Sequence, residues 1–471
     1  MADQRVVVMA GSPYERGRMY GQAQSAQIKR YFQSKCHEFS HLDKEWKRMA
    51  AAAHTAMEKH CPIAYAEMQG TASVDPELTL EHLMQLTLFP ELEAFDHFHP
   101  YRCDICAEVI ESASWMRCLP CELDFCSGCA ARGHAHPLTE GGTERARRGK
   151  GRENGTGAEQ PGKKCSSFAR AEPNSYLVGQ TDEENPPYNQ HGLLHVIQRV
   201  TDEQGMESLL YAAPGTPCMV GLNSHGLCVL ANTLFVPDNR FWDGVPTLAA
   251  TRELLTKDSL PAAEAYIRGV PLAIPLNFVL AQPGHGVCNL EASHVEVQAI
   301  RTPERAGAVY AHCNHCQSAS FVSREELPVP PISTQQRQAV LEACIRKAQQ
   351  AGAPMDLPWL ESTLLKPPVN NSFVIATILM EPAAGRLHVR FGVPSVARGG
   401  KKRKRRKGPP EPEGAGPCLR DGITDWRQME TAKSLLPAYR TYALQSKVST
   451  VVSGVGDESS TSGESADSAM R

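Results

Sequence analysis

Two sets of residues in this chain have the types and spacing to do chemistry. The first is a run of cysteines and histidines: Cys103-x2-Cys106, Cys118-x2-Cys121, Cys126-x2-Cys129 and His134-x-His136. Thiolate and imidazole are ligands that suit zinc, and a closed structural zinc takes four in a tetrahedron. These eight groups predict two structural Zn2+ ions. A segment of about 40 residues buries too little to fold alone, and metal binding would supply the missing folding free energy.

The second candidate is Cys165. It stands where a polar stretch, residues 139–164, meets an apolar run. That stretch holds seven Gly and seven Lys or Arg and has no Val, Leu, Ile or aromatic residue, so it reads as a flexible basic linker. A cysteine freed at a chain end carries its own base. An α-amino group has a pKa of about 7.7–8.0, low enough to accept the thiol proton near neutral pH. A cysteine at the start of a strand also fits a small buried hydrophobe.

These residues need elements to hold them. Residues 15–60 carry apolar positions at helical spacing, and PELTLEHLMQLTLFPELEAF reads as a second helical stretch opening at Pro76. After the linker, SYLVGQ, HGLLHVIQRV, SLLYAA and GLCVLANTLF read as strands. TRELLTKDSLPAAEAYIRG is helical in composition, and VCNLEASHVEVQAI and AVYAHCNHC are strand-like again. TQQRQAVLEACIRKAQQAG predicts a helix closed by Gly352, and FVIATILMEPAAGRLHVRFG a hairpin turning over Pro382–Gly385. HCNHC fits a strand alternating in and out, which argues against His312, Cys313, His315 and Cys316 as a zinc site. Strand runs followed by helices point to a layered mixed α and β domain rather than strict βαβ alternation.

Composition narrows the function. Lys plus Arg number 49 against 52 Asp plus Glu, for a formal charge of -3. That balance fits neither a dedicated nucleic-acid coat nor a polybasic membrane binder. The longest apolar stretch, VPLAIPLNFVLA, is broken by Pro271 and Pro275, so no membrane span is expected. The start MADQRVVVMAGSPYERG lacks a secretory h-region, and a chain that is not secreted is expected. Lys401–Lys407 is a seven-residue basic run that must be exposed. It fits a cytoplasmic protein with a nuclear address, or a tail that merely holds anions. The final stretch is Ser-rich and polar, so 399–471 reads as a disordered tail.

The cysteine run resembles a ZZ-type zinc finger, on HPYRCDIC, WMRCLPC, ELDFCSGC and RGHAH. The resemblance implies a cross-brace. Cys103, Cys106, Cys126 and Cys129 would hold one zinc, and Cys118, Cys121, His134 and His136 the other. The gap before Cys126 is one residue shorter than the common five. ZZ fingers are interaction modules, several of which bind peptide N-termini through acidic residues. Asp104 matches that position, Asp124 less well, and Asp104 also fits a solvated carboxylate at a zinc knuckle.

The rest of the chain is similar to the acyl-coenzyme A:isopenicillin N acyltransferase-like family of N-terminal-nucleophile (Ntn) hydrolases. The resemblance is carried in order by GSPYERGRMYGQAQSAQI, TLEHLMQLTLFPELEAF, KCSSFARAEPNSYLVGQTDEENP, GLNSHGLCVLANTLF, NFVLAQPGHGVCNLEAS, VYAHCNHC and LHVRFGVP. It implies an α+β, four-layer αββα core that cuts itself before Cys165 and then cleaves or transfers acyl groups on amides. Asn232 and Asn314 match oxyanion-stabilising positions, although Asn314 also fits a turn cap. Ungapped counting from Cys165 puts Glu183, rather than the neighbouring Asp182, at the carboxylate that orients the amine. Lys164 replaces a glycine, Thr181 replaces an asparagine, and no arginine can be placed.

The expected organisation is an N-terminal part of the core at 1–96, the finger at 97–138, the linker at 139–164, the main core at 165–398 and the tail at 399–471. Two functions fit. One is a self-processing cysteine amidase or acyltransferase acting on a small N-acyl compound or peptide, with no membrane or specific nucleic-acid partner. The other is a non-catalytic protein whose finger binds peptide N-termini while the core serves as scaffold.

Overall fold

The structure is a computed structural model that describes residues 5–98, 115–118, 123–131, 139–140, 165–173, 175–184, 194–326, 332–371, 373–391 and 440–445. The chain opens with β1 (Val6–Ala10) and then five helices: α1 (Pro13–Glu38), α2 (Asp43–His60), α3 (Pro62–Ala72), α4 (Leu80–Thr87) and α5 (Phe89–Phe98). Ser12 caps α1 in a capping box with Glu15, and Pro13 occupies the first turn, where its missing N–H costs nothing. Helices α1 and α3 cross on glycines. A Cβ at Gly17 would lie 1.9 Å from the Glu67 carbonyl oxygen, and one at Gly70 would lie 2.0 Å from that of Tyr14. The second helical stretch is two helices rather than one. Thr79, not Pro76, caps α4, and the chain breaks at Leu88 because Pro90 has no N–H to continue the ladder.

A small sheet follows, built from β2 (Trp115–Cys118), β3 (Leu123–Cys126) and β4 (Thr139–Glu140), with α6 (Ser127–Ala130) after β3. The strands then come in quick succession: β5 (Ser166–Glu172), β6 (Ser175–Glu183), β7 (Val196–Thr201), β8 (Glu207–Ala212), β9 (Val220–Asn223) and β10 (Cys228–Thr233). TRELLTKDSLPAAEAYIRG divides into α7 (Thr247–Leu254) and α8 (Leu260–Arg268), which precede β11 (Leu276–Gln282), β12 (Gly286–Ala292), β13 (Val297–Thr302) and β14 (Val309–His312). The last elements are α9 (Ala319–Val322), α10 (Ile332–Gln350), α11 (Leu357–Leu364), β15 (Val374–Glu381), β16 (Arg386–Phe391) and β17 (Arg440–Ala443). The expected hairpin is β15–β16, with Gly385 at a left-handed φ of 60°.

Two large sheets result. The first has the order β1-β7-β8-β9-β10-β11-β12-β13 and the second β14-β5-β6-β15-β16-β17. The three large apolar clusters among the described residues divide the space around them. One joins α1–α4, α7 and α8 to one face of the first sheet, through Ile28, Trp46, Leu86, Val229 and Phe278. The second lies between the sheets, through Ala169, Val178, Leu230, Val279 and Ile378. The third joins the far face of the second sheet to α10 and α11, through Phe168, Leu177, Leu341 and Leu360. The layers therefore run helix, sheet, sheet, helix.

Two expectations need correction. The strand through AVYAHCNHC ends at His312, so Cys313–Cys316 are loop: the backbone N–H groups of Asn314 and Cys316 turn to Thr334 Oγ1 and the Glu325 carboxylate instead of to a neighbouring strand. Within the segment read as a disordered tail, Arg440–Ala443 pair antiparallel with β16 and close that edge of the second sheet. Tyr442 is buried there, an apolar anchor set in an otherwise polar stretch.

Candidate active site

Cys165 is 8% exposed and stands immediately before β5, which lies inside the second sheet between β14 and β6. Side chains alternate along a strand. Phe168 faces the α10–α11 layer, whereas Ala169 and Ala171 face the first sheet. Ser167 also faces the first sheet, and its Oγ lies 2.9 Å from Asn232 Oδ1 on β10. Ser166 pairs with Thr181 and donates its N–H to Thr181 Oγ1 at 3.1 Å. One residue further in the same register brings Cys165 level with Asp182.

The two predicted asparagines meet at this end of the strand. Asn232 is fully buried, and its Oδ1 accepts from Ser167 and, at 3.2 Å, from Asn277 Nδ2. Its own Nδ2 is buried with no hydrogen-bond acceptor among the described residues. A donor left unmatched in a dry site costs about 1–3 kcal/mol, a cost that an arriving acceptor would remove. Asn314 is 1% exposed and donates Nδ2–H to the Thr233 carbonyl at 3.1 Å. Its backbone N–H reaches Thr334 Oγ1 at 2.8 Å.

Arg337 is the residue that sequence reasoning missed. It lies fully buried on α10 and spans three acceptors: the Cys165 carbonyl at 2.6 Å, Ser166 Oγ at 2.7 Å and Asn314 Oδ1 at 2.8 Å. Within TQQRQAV it resembles any polar residue of a solvated helix face. Its spacing carries the missed signal: Thr334, Arg337, Gln338 and Leu341 share the buried face at helical intervals.

Residues 170–351 match the family model of acyl-coenzyme A:6-aminopenicillanic acid acyl-transferase. No curated protein matches the chain. Among solved structures, the chain is similar to a Caenorhabditis elegans ortholog of N-acylethanolamine-hydrolyzing acid amidase. Identity is 12% and the TM-score 0.36, over 46% of this chain and 93% of that one. It is also similar to the C2A mutant of conjugated bile acid hydrolase from Clostridium perfringens, at 9% identity and a TM-score of 0.33, over 48% and 89% of the two chains. For penicillin V acylase from Agrobacterium tumefaciens the values are 11% and 0.32, over 48% and 83%.

The two candidate carboxylates point apart, as neighbours on a strand must. Asp182 accepts the Tyr211 hydroxyl at 2.9 Å and lies 3.6 Å from His195 Nδ1. Burial, and then the charge of Asp182, hold the Tyr211 phenol well above its ordinary range, so it stays a donor. Glu183 faces the helix layer and accepts Asn371 Nδ2–H at 3.2 Å. Glu184 ion-pairs with Lys35 of α1. Asp182 therefore shares the inter-sheet face of Ser167 and Asn232, and Glu183 does not.

The HCNHC residues have other partners. His312 Nε2 lies 3.1 Å from Glu291, His315 Nδ1 lies 3.0 Å from Thr334 Oγ1, and Cys316 N–H donates to Glu325 at 2.6 Å. Of the predicted zinc ligands, Cys103, Cys106, Cys121, His134 and His136 lie outside the described residues, as do Asp104, Lys164 and Lys401–Lys407. Cys118 and Cys126 are described as backbone of β2 and β3, and Cys129 lies in α6.

Proposed function

We propose that the chain is an N-terminal-nucleophile cysteine amidase or acyltransferase that matures by cutting itself before Cys165. The observation that carries this reading is the convergence of Arg337, Asn314, Ser167 and the unmatched Asn232 Nδ2 around that cysteine. The helix–sheet–sheet–helix layering, read as the Ntn fold, agrees with it, as does the family match over residues 170–351.

In maturation the Cys165 thiol adds to the Lys164 carbonyl and its proton passes to the Cys165 nitrogen. The C–N bond breaks and leaves a thioester on Sγ. Water hydrolyses the thioester, releasing the Lys164 carboxylate and a free thiol beside a new α-amine. In turnover that amine takes the thiol proton. The thiolate adds to the carbonyl of an N-acyl substrate, and Asn232 and Asn314 stabilise the oxyanion without adding charge. The leaving amine takes the proton, and water or an acceptor amine then resolves the acyl thioester. Asp182, on the same face, orients the new amine, whereas Glu183, favoured by counting, faces away.

Residues 103–136 form, in this reading, a two-zinc ZZ-type module that recognises a peptide N-terminus through Asp104. The described backbone fits the cross-brace. Trp115 pairs with Cys126 and Cys118 with Leu123, so Cys118 and Cys126 occupy opposite ends of the β2–β3 ladder, about 10 Å apart along the strands. Bound zinc would supply folding energy to this module and no catalysis. Lys401–Lys407 serves as a nuclear address.

The test is direct. Denaturing electrophoresis should give two chains, the larger beginning Cys-Ser-Ser-Phe-Ala, and a panel of N-acyl amides should include a substrate. Cys165→Ala should leave one uncut, inactive chain. A wild-type chain that is intact and inactive would reduce the core to a scaffold.

A further inference from the structure

Glu291 lies on β12, within the NFVLAQPGHGVCNLEAS segment, and has been given no role so far. It is fully buried. Register places it beside Asn277, which itself pairs with Asn232, so the three form one row across β10, β11 and β12. Its carboxylate is surrounded by donors from a single loop. Oε1 meets His312 Nε2 at 3.1 Å and accepts the Gln317 N–H. Oε2 accepts the Ser318 N–H at 2.8 Å and the Ser318 hydroxyl. Those four contacts grip both ends of the segment His312–Ser318, whose middle carries Asn314.

A buried carboxylate is costly to desolvate unless each lone pair is matched, and here four donors match them. Desolvation alone would raise the carboxyl pKa. The bonds from His312, Ser318 and Gln317 outweigh it and hold Glu291 below its ordinary range, so it is ionised when the protein is folded. On the other side, Asn314 is held by Arg337, Thr334 and Thr233. Glu325 accepts the Cys316 N–H at 2.6 Å in the middle of the loop, but Glu291 is the carboxylate that holds both of its ends and touches no reacting atom.

We propose that Glu291 is a positioning residue: its buried carboxylate clamps the His312–Ser318 loop and so aims the Asn314 amide at the oxyanion. The inference rests on the amidase reading for its catalytic half; the clamp itself rests on geometry alone. A loop without this anchor loses the sub-ångström placement that transition-state hydrogen bonds need.

Glu291→Gln keeps the shape but turns an NH2 group toward the loop's donors. On an N-acyl amide substrate, kcat per folded enzyme, with the folded fraction read by circular dichroism so that loss of folded protein is divided out, should fall about 10- to 100-fold with KM changed less than about twofold. Glu91→Gln removes another fully buried carboxylate, which accepts from Thr247 at 2.7 and 2.9 Å away from this site, and should leave kcat unchanged. In an Asn314→Ala background, Glu291→Gln should cost less than about threefold more, because it acts through Asn314. Independent multiplication of the two losses would overturn the proposal, as would an unchanged kcat. Hydrogen exchange separates the two failures. Amides of 312–318 should exchange faster in Glu291→Gln than in the wild type, while β5 and β6 stay protected. A wild type without turnover sinks the amidase reading but leaves this exchange result to decide the clamp, and unchanged exchange rejects it.

Discussion

Arg337 and Asn314 are joined side chain to side chain, Nη2–H to Oδ1 at 2.8 Å, and the same guanidinium holds the Cys165 carbonyl. One residue of the outer helix layer thus ties the candidate nucleophile to a candidate oxyanion donor. Arginine suits this role because its planar fork presents several donors in fixed directions, which the single ammonium of lysine cannot do.

Arg337→Met should therefore leave three buried acceptors without their donor and lower kcat/KM by at least about 10²-fold, the scale of losing one oxyanion donor. Arg337→Lys should recover only part of that loss. Self-cleavage, read as the ratio of two bands to one, should fall in parallel. A fully processed, fully active Arg337→Met protein would remove the residue from the site.

Asn232→Ala removes the donor that no described residue occupies. The expected loss is about 10²–10³ in kcat. Because Asn232 Oδ1 also accepts from Ser167 and Asn277, some loss of thermal stability should accompany it. Ser167→Ala, which removes only one contact to Oδ1, should cost less activity than Asn232→Ala. Equal losses would mean that Asn232 is a packing residue.

Some of this site was legible in the sequence and some was not. Cys165 stood out because the composition changes abruptly there, and Asn232 and Asn314 because they sit in ordered motifs. Arg337 was invisible because a helix face reads as solvated until its neighbours are known. The choice between Asp182 and Glu183 could not be made by counting. On a strand a shift of one residue reverses the face, and only pairing with β5 and β15 fixes which side chain looks toward the first sheet. Tyr442 on β17 escaped for a different reason: four residues inside a polar segment give no periodicity, and a waiting sheet edge decides their fate.

His315 sets a pH dependence. Burial, then the charges of His312 and Arg337, lower its pKa from 6.5 to about 4. Between those values the unfolded chain binds a proton that the folded one does not, so stability falls as pH drops from about 6.5 toward 4. Urea midpoints for the wild type should decline over that window. His315→Asn should decline less, and equal slopes would show that His315 is not responsible.

Residues 95–140, expressed alone, should bind two zinc ions per chain by metal analysis and lose their folded signal on chelation. Cys118→Ser and Cys126→Ser should each remove one ion and leave the other, since the cross-brace assigns them to different sites. A metal-free fragment that stays folded would reject the zinc assignment.

Lys35 links the two pieces that self-cleavage would create. It is fully buried on α1, before the cut, and ion-pairs with Glu38 of its own helix and with Glu184 at the end of β6, after the cut. Removing one partner of a buried pair strands the other charge, at a cost of about 3–5 kcal/mol. Lys35→Met should therefore lower the thermal midpoint sharply, and adding Glu184→Gln should return part of the loss by removing one stranded charge. After cleavage the fragments 1–164 and 165–471 should co-elute in the wild type, because β1 also pairs with β7 across the cut. In Lys35→Met they should separate at lower urea. If the variant keeps the wild-type midpoint and its fragments hold together equally well, the ion pair contributes nothing and the strand pairing alone joins the halves.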